Sequence, residues 1–198
     1  MGLGRALSRM LVNEGCRVAL VDVNAVALDE ARKELSATGE AQSFVCDVSD
    51  RAEVYELARR VRASMGPVSI VINNAGIMRA APIMELDDGA IERMIAVNLT
   101  AQFWIAKAFI PQMLERGEGH LVNVASAGGL LAIPSLSAYC ASKFGVVGFT
   151  DALRQEAKRY EWPVTVTCVC PNTVNTGMFE GARMVAGTRM LASEAVCR

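Results

Sequence analysis

Short apolar runs alternate with longer amphipathic stretches along the chain. Residues 17–21 (RVALV) form an apolar run that ends at Asp22, and 25–36 follow with helical character. Residues 42–46 (QSFVC) read as a second strand, ending at Asp47. Asp50 with Glu53 makes a capping box, and Val54, Leu57, Ala58, Val61 and Met65 then recur on one helical face. Gly66-Pro67 stops that helix. Residues 68–72 (VSIVI) are a continuous apolar strand, as expected when both faces are buried. Helical segments run from about 87 to 116, a strand covers 120–124 (HLVNV), one long helix covers 137–159, and a strand covers 164–170 (VTVTCVC). The βαβα order predicts an α/β fold, a doubly wound parallel sheet with helices on both faces in three αβα layers. No repeat or linker interrupts residues 1–198, so a single domain is expected.

Composition narrows the function. With 20 Lys+Arg against 21 Asp+Glu the net charge is −1, which gives no electrostatic case for nucleic acid or an anionic membrane. A hydrophobic share of 52% fits a folded domain. No apolar run approaches the roughly 18 residues of a membrane span, so no integral membrane segment is expected. Six scattered cysteines favour reduced thiols and a cytoplasmic location. Cys168 and Cys170 lie two apart and share one sheet face, and core packing is the reading for them rather than metal binding. The single histidine, His120, argues against a multi-His metal site and against a Ser-His-Asp triad.

Strand ends are where ligands bind in such sheets. They read Asp22, Asp47, Asn73-Asn74-Ala75-Gly76, Ala125-Ser126 and Pro171-Asn172. Tyr139 and Lys143 are four apart, so on a helix they share a face. A lysine beside a phenol lowers its pKa and makes it a usable acid and base. Ser126, thirteen residues upstream, could hydrogen-bond a substrate oxygen. Taken alone, the Tyr–Lys spacing is common. It fits equally well a decorated exposed helix and a serine that caps a turn.

The motifs together resemble the short-chain dehydrogenase/reductase family, in the family's order and over essentially the whole chain. Gly2-Leu3-Gly4 resembles the end of its glycine-rich loop, Asp47-Val48 its adenine-contacting pair, and Asn73-Asn74-Ala75-Gly76 its N-N-A-G. Asn98 falls in its V-N-L segment, and Ser126, Tyr139 and Lys143 match its catalytic serine and Y-x-x-x-K. Pro171 to Thr176 resembles P-G-x-V-x-T, with Asn172 in place of glycine. The resemblance implies an NAD-dependent oxidoreductase acting on a secondary or lipophilic alcohol or ketone. Tyr139 would be the acid/base, Lys143 would lower its pKa and bind the nicotinamide ribose, Ser126 would polarise the carbonyl, and Asn98 would hold a water in a relay to Lys143. Gly2, Leu3, Gly4, Asp22, Asp47, Val48, Asn74, Ala75, Gly76, Pro171, Val174 and Thr176 would contact the dinucleotide. A carboxylate at Asp22 accepts ribose hydroxyls and repels a 2′-phosphate, so NAD is expected in preference to NADP. Asn175 to Phe179 resembles members acting on retinoid or steroid alcohols, and Met178, Met184 and Met190 read as packing rather than metal ligands. Asn98-Leu99-Thr100 also spells a glycosylation sequon, which a site helix would not offer for modification.

Against the family pattern, the first strand before the glycine loop and the last helix and strand are absent, with Ala192 to Val196 resembling the start of that helix. The expectation is an incomplete form in which the strands ending at Asp22 and Asn73 lack a partner, or else pair directly. That leaves a second reading, a truncated non-catalytic binding or regulatory subunit, and a third, a 3-oxoacyl reductase, against which Asp22 argues. The resemblance also implies a homodimer or homotetramer through the helices near 100–116 and 137–157. Phe103, Trp104, Phe109, Phe144 and Phe149 supply apolar surface there, about half of it expected to face the sheet.

Overall fold

The computed structural model describes residues 2–172, 174–175 and 191–192. Helix α1 (Leu3–Asn13) leads into β1 (Val18–Asp22), α2 (Ala25–Leu35) and β2 (Ala41–Val45). Then come α3 (Arg51–Met65), β3 (Ile70–Asn73) and α4 (Asp88–Ile95). A π-helical turn, Ala96–Thr100, joins α4 to α5 (Ala101–Arg116). Strand β4 (Gly119–Val124), α6 (Ser137–Arg159), β5 (Val164–Val169) and the short pair β6 (Val174–Asn175) and β7 (Leu191–Ala192) complete the described chain. Most boundaries fall within two residues of the sequence expectation. Helix α1 was not anticipated. Ala192 lies in a strand rather than a helix start, and 193–196 lie outside the described residues.

Local chemistry explains the helix starts. The side chains of Asn24, Asp50 and Asp87 each accept backbone N–H groups of the following first turn. The capping box at α3 is half formed. Asp50 caps the Ala52 and Glu53 amides, but the Glu53 carboxylate accepts from Asp47 N at 2.8 Å instead of from Asp50. The five apolar residues of α3 are all buried.

All pairings are parallel, but the sheet is divided. Strand β1 pairs with β2, and β3-β4-β5 form a separate three-stranded sheet. No described strand lies between β1 and β3, and the two are not paired with each other, so the alternative of direct pairing does not occur. Both halves nevertheless pack on one helix layer. Ala19 of β1, Phe44 of β2 and Val71 of β3 all meet the cluster built by α3 and α5. Arg17 donates to Met65 O at 2.7 Å at the amino end of the gap. On the other face, Val12, Leu20, Leu28, Leu35 and Ala41 seal α1 and α2 onto β1 and β2. The αβα sandwich is therefore three layers deep over β1–β2. Over β3–β5, α5 and α6 cover one face through Ile110, Met113, Leu121, Leu153 and Val166. Ile70 on the far face is 46% exposed, so β3 is not buried on both faces as its apolar run suggests.

By length and composition alone, Asp88–Arg116 could cross a bilayer, which no uninterrupted apolar run in the sequence suggests. Half of its most apolar window is buried within the fold, and Ile105, Phe109, Ile110 and Met113 belong to the two sheet-facing cores. It is the central helix of the domain.

A buried polar chain locks β3, β4 and α6 together. Asn73 donates to Asn123 at 2.8 Å, Asn123 donates to Thr150 at 2.9 Å, and Thr150 donates to Val146 O at 2.6 Å. Thr150→Val keeps the shape but leaves a buried Asn123 N–H without an acceptor. The expected cost is about 1–3 kcal/mol, read as a fall in the urea midpoint at unchanged m-value.

Candidate active site

The carboxyl ends of β1 to β5 bring the predicted residues to one edge of the sheets. Strand β4 continues beyond Val124 because Ala125 N donates to Val169 O at 2.8 Å. The next alternate amide, Ala127 N, donates to Pro171 O, also at 2.8 Å. Ser126 sits between these two bonds. Its hydroxyl accepts from Gly128 N at 3.1 Å, closing a tight turn over Ala127–Gly129, and its interaction with the Tyr139 phenol draws the phenol's pKa down. Ser126 is thus both a turn cap and a partner of the tyrosine.

Helix α6 packs against that turn at very close range. A Cβ on Gly129 would stand 2.7 Å from the Lys143 carbonyl oxygen, so only glycine allows this approach. Tyr139 is 5% exposed and Lys143 4% exposed, which removes the reading of a decorated surface helix. The Lys143 ammonium donates to Val124 O at 2.9 Å, and its Nζ lies 5.8 Å from the centre of the Tyr139 ring. Burial pushes the Lys143 pKa down to about 8. In this geometry burial, rather than Lys143, sets the direction of the Tyr139 shift. Burial raises Tyr139 above its ordinary value, and the Ser126 interaction opposes that shift without overturning it. The ammonium has turned toward a backbone carbonyl instead.

Asn98 is fully buried in the π-helical turn, a geometry often associated with functional sites. Its side chain accepts from Ile77 N at 2.8 Å and donates to Ile77 O at 2.9 Å and Ser142 Oγ at 3.1 Å. Ser142 in turn donates to Tyr139 O at 2.7 Å. Asn98 therefore ties the loop after β3 to the tyrosine's own helix turn. That full burial keeps the sequon away from any modifying enzyme. Gly76 faces both groups, since a Cβ there would lie 3.4 Å from Asn98 Oδ1 and 3.5 Å from Lys143 Nζ.

Farther along the edge, Gly2 takes a φ of 72° as it opens α1, and no side chain caps the first-turn amides. A Cβ on Gly4 would come within 2.8 Å of Asn74 Nδ2, so the helix start is pressed onto the end of β3. Free amides at a helix start suit an anionic diphosphate. Asp22 is exposed and accepts from Asn24 N at 2.9 Å, with carboxylate capacity left for hydroxyl donors. At Asp47, burial raises the pKa, but hydrogen bonds from Ser49 and the Arg93 ion pair at 2.8 Å outweigh it and the pKa is lowered. Val48 packs beside it against the α3 core. Backbone pairing places Val174 opposite Leu191, while Thr176 and Met178, Met184 and Met190 lie outside the described residues. His120 bonds Thr167 at 2.9 Å and takes no part in the site. This edge fits a nicotinamide dinucleotide: an amide-rich helix start, two carboxylates and a buried Tyr–Lys pair in one row.

Ser142, Gly129, Arg93 and the Val124 carbonyl were not singled out by sequence. Arg93 is 46 residues from Asp47 and carries no local signal. Ser142 sits inside the Tyr–Lys spacing, where an i+3 hydroxyl was the available hint.

The family model for short chain dehydrogenase matches residues 1–185. The chain belongs to the short-chain dehydrogenase family. Estradiol 17-beta-dehydrogenase 11 of Macaca fascicularis is 38% identical over all of this chain and 66% of its own length. Epidermal retinol dehydrogenase 2 of Mus musculus is 40% identical over 91% of the chain and 59% of its own length. The chain thus spans 66% and 59% of these two curated relatives. A short-chain dehydrogenase/reductase from Burkholderia phymatum, solved in complex with NAD, superposes with a TM-score of 0.92 at 27% identity. That match covers 99% of this chain and 79% of the other.

Because the folded Lys143 pKa of about 8 lies below the ordinary 10.5, the unfolded chain binds more protons between those values. Stability contributed by this group rises as pH climbs from about 8 toward 10.5, by about 3 kcal/mol in all. The urea stability of the protein relative to Lys143→Met should therefore improve across that window and stay level from pH 6 to 7.

Proposed function

We propose that the protein is an NAD-linked dehydrogenase or ketone reductase for a lipophilic alcohol. The observation that carries this reading is the convergence of Ser126, the buried Tyr139 and, one helical turn on, the buried Lys143 at the carboxyl end of β4. In carbonyl reduction the protonated phenol of Tyr139 donates to the substrate oxygen, and Ser126 donates a second hydrogen bond that polarises it. In alcohol oxidation the same two groups act in reverse. Lys143 supplies positive charge behind the phenol, and Asn98 holds the helix turn and the Gly76 loop that frame it. When bound, the nicotinamide dinucleotide supplies the hydride donor or acceptor and, in its oxidised form, a positive ring charge. The α1 start, Asp22, Asp47-Val48, Asn74-Ala75-Gly76, Pro171 and the 174–176 segment would hold it.

The lipophilic substrate class has two supports. Met78, Ala81, Leu86, Met94 and Leu136 pack beside Tyr139 and Cys140. Exposed Ile83, Met84, Leu130, Leu131 and Ile133 lie on the flanking loops, which are joined by Ala81 N to Ser135 O at 2.9 Å. The names of the steroid and retinol dehydrogenases above point the same way. A homodimer or homotetramer through α5 and α6 belongs to this reading. Phe109 is buried in the core, while Phe103 and Phe144 remain 42% and 46% exposed on those helices. The free thiols agree with a cytoplasmic location.

A non-catalytic binding role draws support from the break between β1 and β3, which lies beneath the glycine turn. Two measurements separate the readings. Tyr139→Phe should lower turnover of a lipophilic alcohol by at least about 100-fold while leaving NADH affinity within a few-fold; turnover that survives the change overturns the enzyme reading. Calorimetric titration should show NADH binding with little NADPH binding, and Asp22→Ala should narrow that preference by about 1–2 kcal/mol. Absence of binding to either dinucleotide by the folded chain favours the regulatory reading.

A further inference from the structure

Cys168 and Cys170 face α6 from the end of β5, with their sulfurs 3.8 Å apart. Both are half-buried free thiols, so a small reagent can reach them. Their surroundings connect them to the site. Cys168 lies in register with Asn123 and against the Thr150 hydroxyl, and both thiols act electrostatically on the Lys143 ammonium. Asp151, also on α6, acts on Cys168 in the opposite sense to Lys143. The residue between them, Val169, gives its carbonyl to Ala125, and the residue after them, Pro171, gives its carbonyl to Ala127. The two hydrogen bonds that set Ser126 therefore bracket Cys170.

We propose that Cys168 and Cys170 are an oxidative modification site, closed to an intrachain disulfide by hydrogen peroxide, and that closure loosens the turn carrying Ser126. Two residues apart in an extended chain is about 6.6 Å between Cα atoms, at the wide end of what a disulfide spans. Closure must draw the backbone inward at Val169, and Cys170 lies beyond the last residue of β5, where the chain can yield. Burial pushes the Cys168 thiol up to about 11, which makes it the second partner rather than the first. The Cys170 thiolate attacks the peroxide: an S–O bond forms, the O–O bond breaks, and the departing oxygen leaves as water after taking a proton. The Cys168 thiol then attacks the Cys170 sulfur. An S–S bond forms, the S–O bond breaks, and the hydroxyl leaves as water with the Cys168 proton. Two thiols lose two electrons and two protons, and one peroxide becomes two waters.

The bond itself stands apart from the proposed function; only its effect on turnover would rest on that reading. The test is therefore made on the protein without substrate. The reduced chain is treated with hydrogen peroxide and digested with trypsin under non-reducing conditions. The peptide Tyr160–Arg183 contains both thiols and no other cysteine. It should lose about 2 Da and regain it with dithiothreitol. In the same sample, the Ala125 and Ala127 amides should exchange hydrogen about tenfold faster after oxidation, reverting on reduction. Cys168→Ser should show neither change and should instead trap an oxygen adduct on Cys170. Oxygen addition at single sulfurs without the 2 Da loss overturns the proposal, as does a disulfide that leaves exchange at Ala125 and Ala127 unaltered.

Discussion

Everything at the site hangs from the carboxyl end of β4. Its register with β5 fixes Val124 opposite Val169, and the backbone bonding then skips outward to Ala125 and Ala127. Val124 spends its carbonyl on the Lys143 ammonium. That single acceptor decides where the lysine points, hence how it stands toward the phenol one turn earlier on α6. Ser126 is held by the same short stretch of chain. A strand end, rather than any one side chain, determines the relative positions of the three groups.

Such an arrangement is costly and is compensated locally. A buried ammonium with one backbone acceptor is disfavoured, and its pKa falls accordingly. A buried phenol is pushed the opposite way. The two shifts run in opposite directions from the same cause, the burial of both groups. The polar chain from Asn73 through Asn123 to Thr150 offsets part of the strain by locking β3, β4 and α6 with satisfied hydrogen bonds.

Elements with strong periodicity were legible in the sequence. The α3 face at Val54, Leu57, Ala58, Val61 and Met65 is buried as its spacing demands, and α6 occupies the expected span. Tyr139, Lys143 and Ser126 were legible because they stand in the order of the family's other motifs; their spacing alone is common. What the sequence did not carry were contacts closed by tertiary packing. Glu53 turning to Asp47, Arg93 reaching Asp47 across 46 residues, and Gly129 meeting the backbone of Lys143 have no local pattern. The apolar run of β3 suggested burial on both faces because periodicity reports composition, whereas exposure of Ile70 depends on what covers it. The phenol's raised pKa escaped for a related reason: spacing placed the lysine near it, but only the fold shows the ammonium committed elsewhere.

The division between β1 and β3 also bears on how the molecule comes apart. The sheets β1-β2 and β3-β4-β5 share the α3–α5 layer as a common seam. Trp104 packs at that seam, against the cluster that also takes in Phe44 of β2 and Ala19 of β1, whereas Trp162 packs against the core under β5. Trp104 would therefore respond if β1 and β2 were lost first, while Trp162 would follow the half that carries Ser126, Tyr139 and Lys143. The two indoles thus stand in different parts of the molecule, and removing one of them would separate loss of the seam from loss of the core under β5.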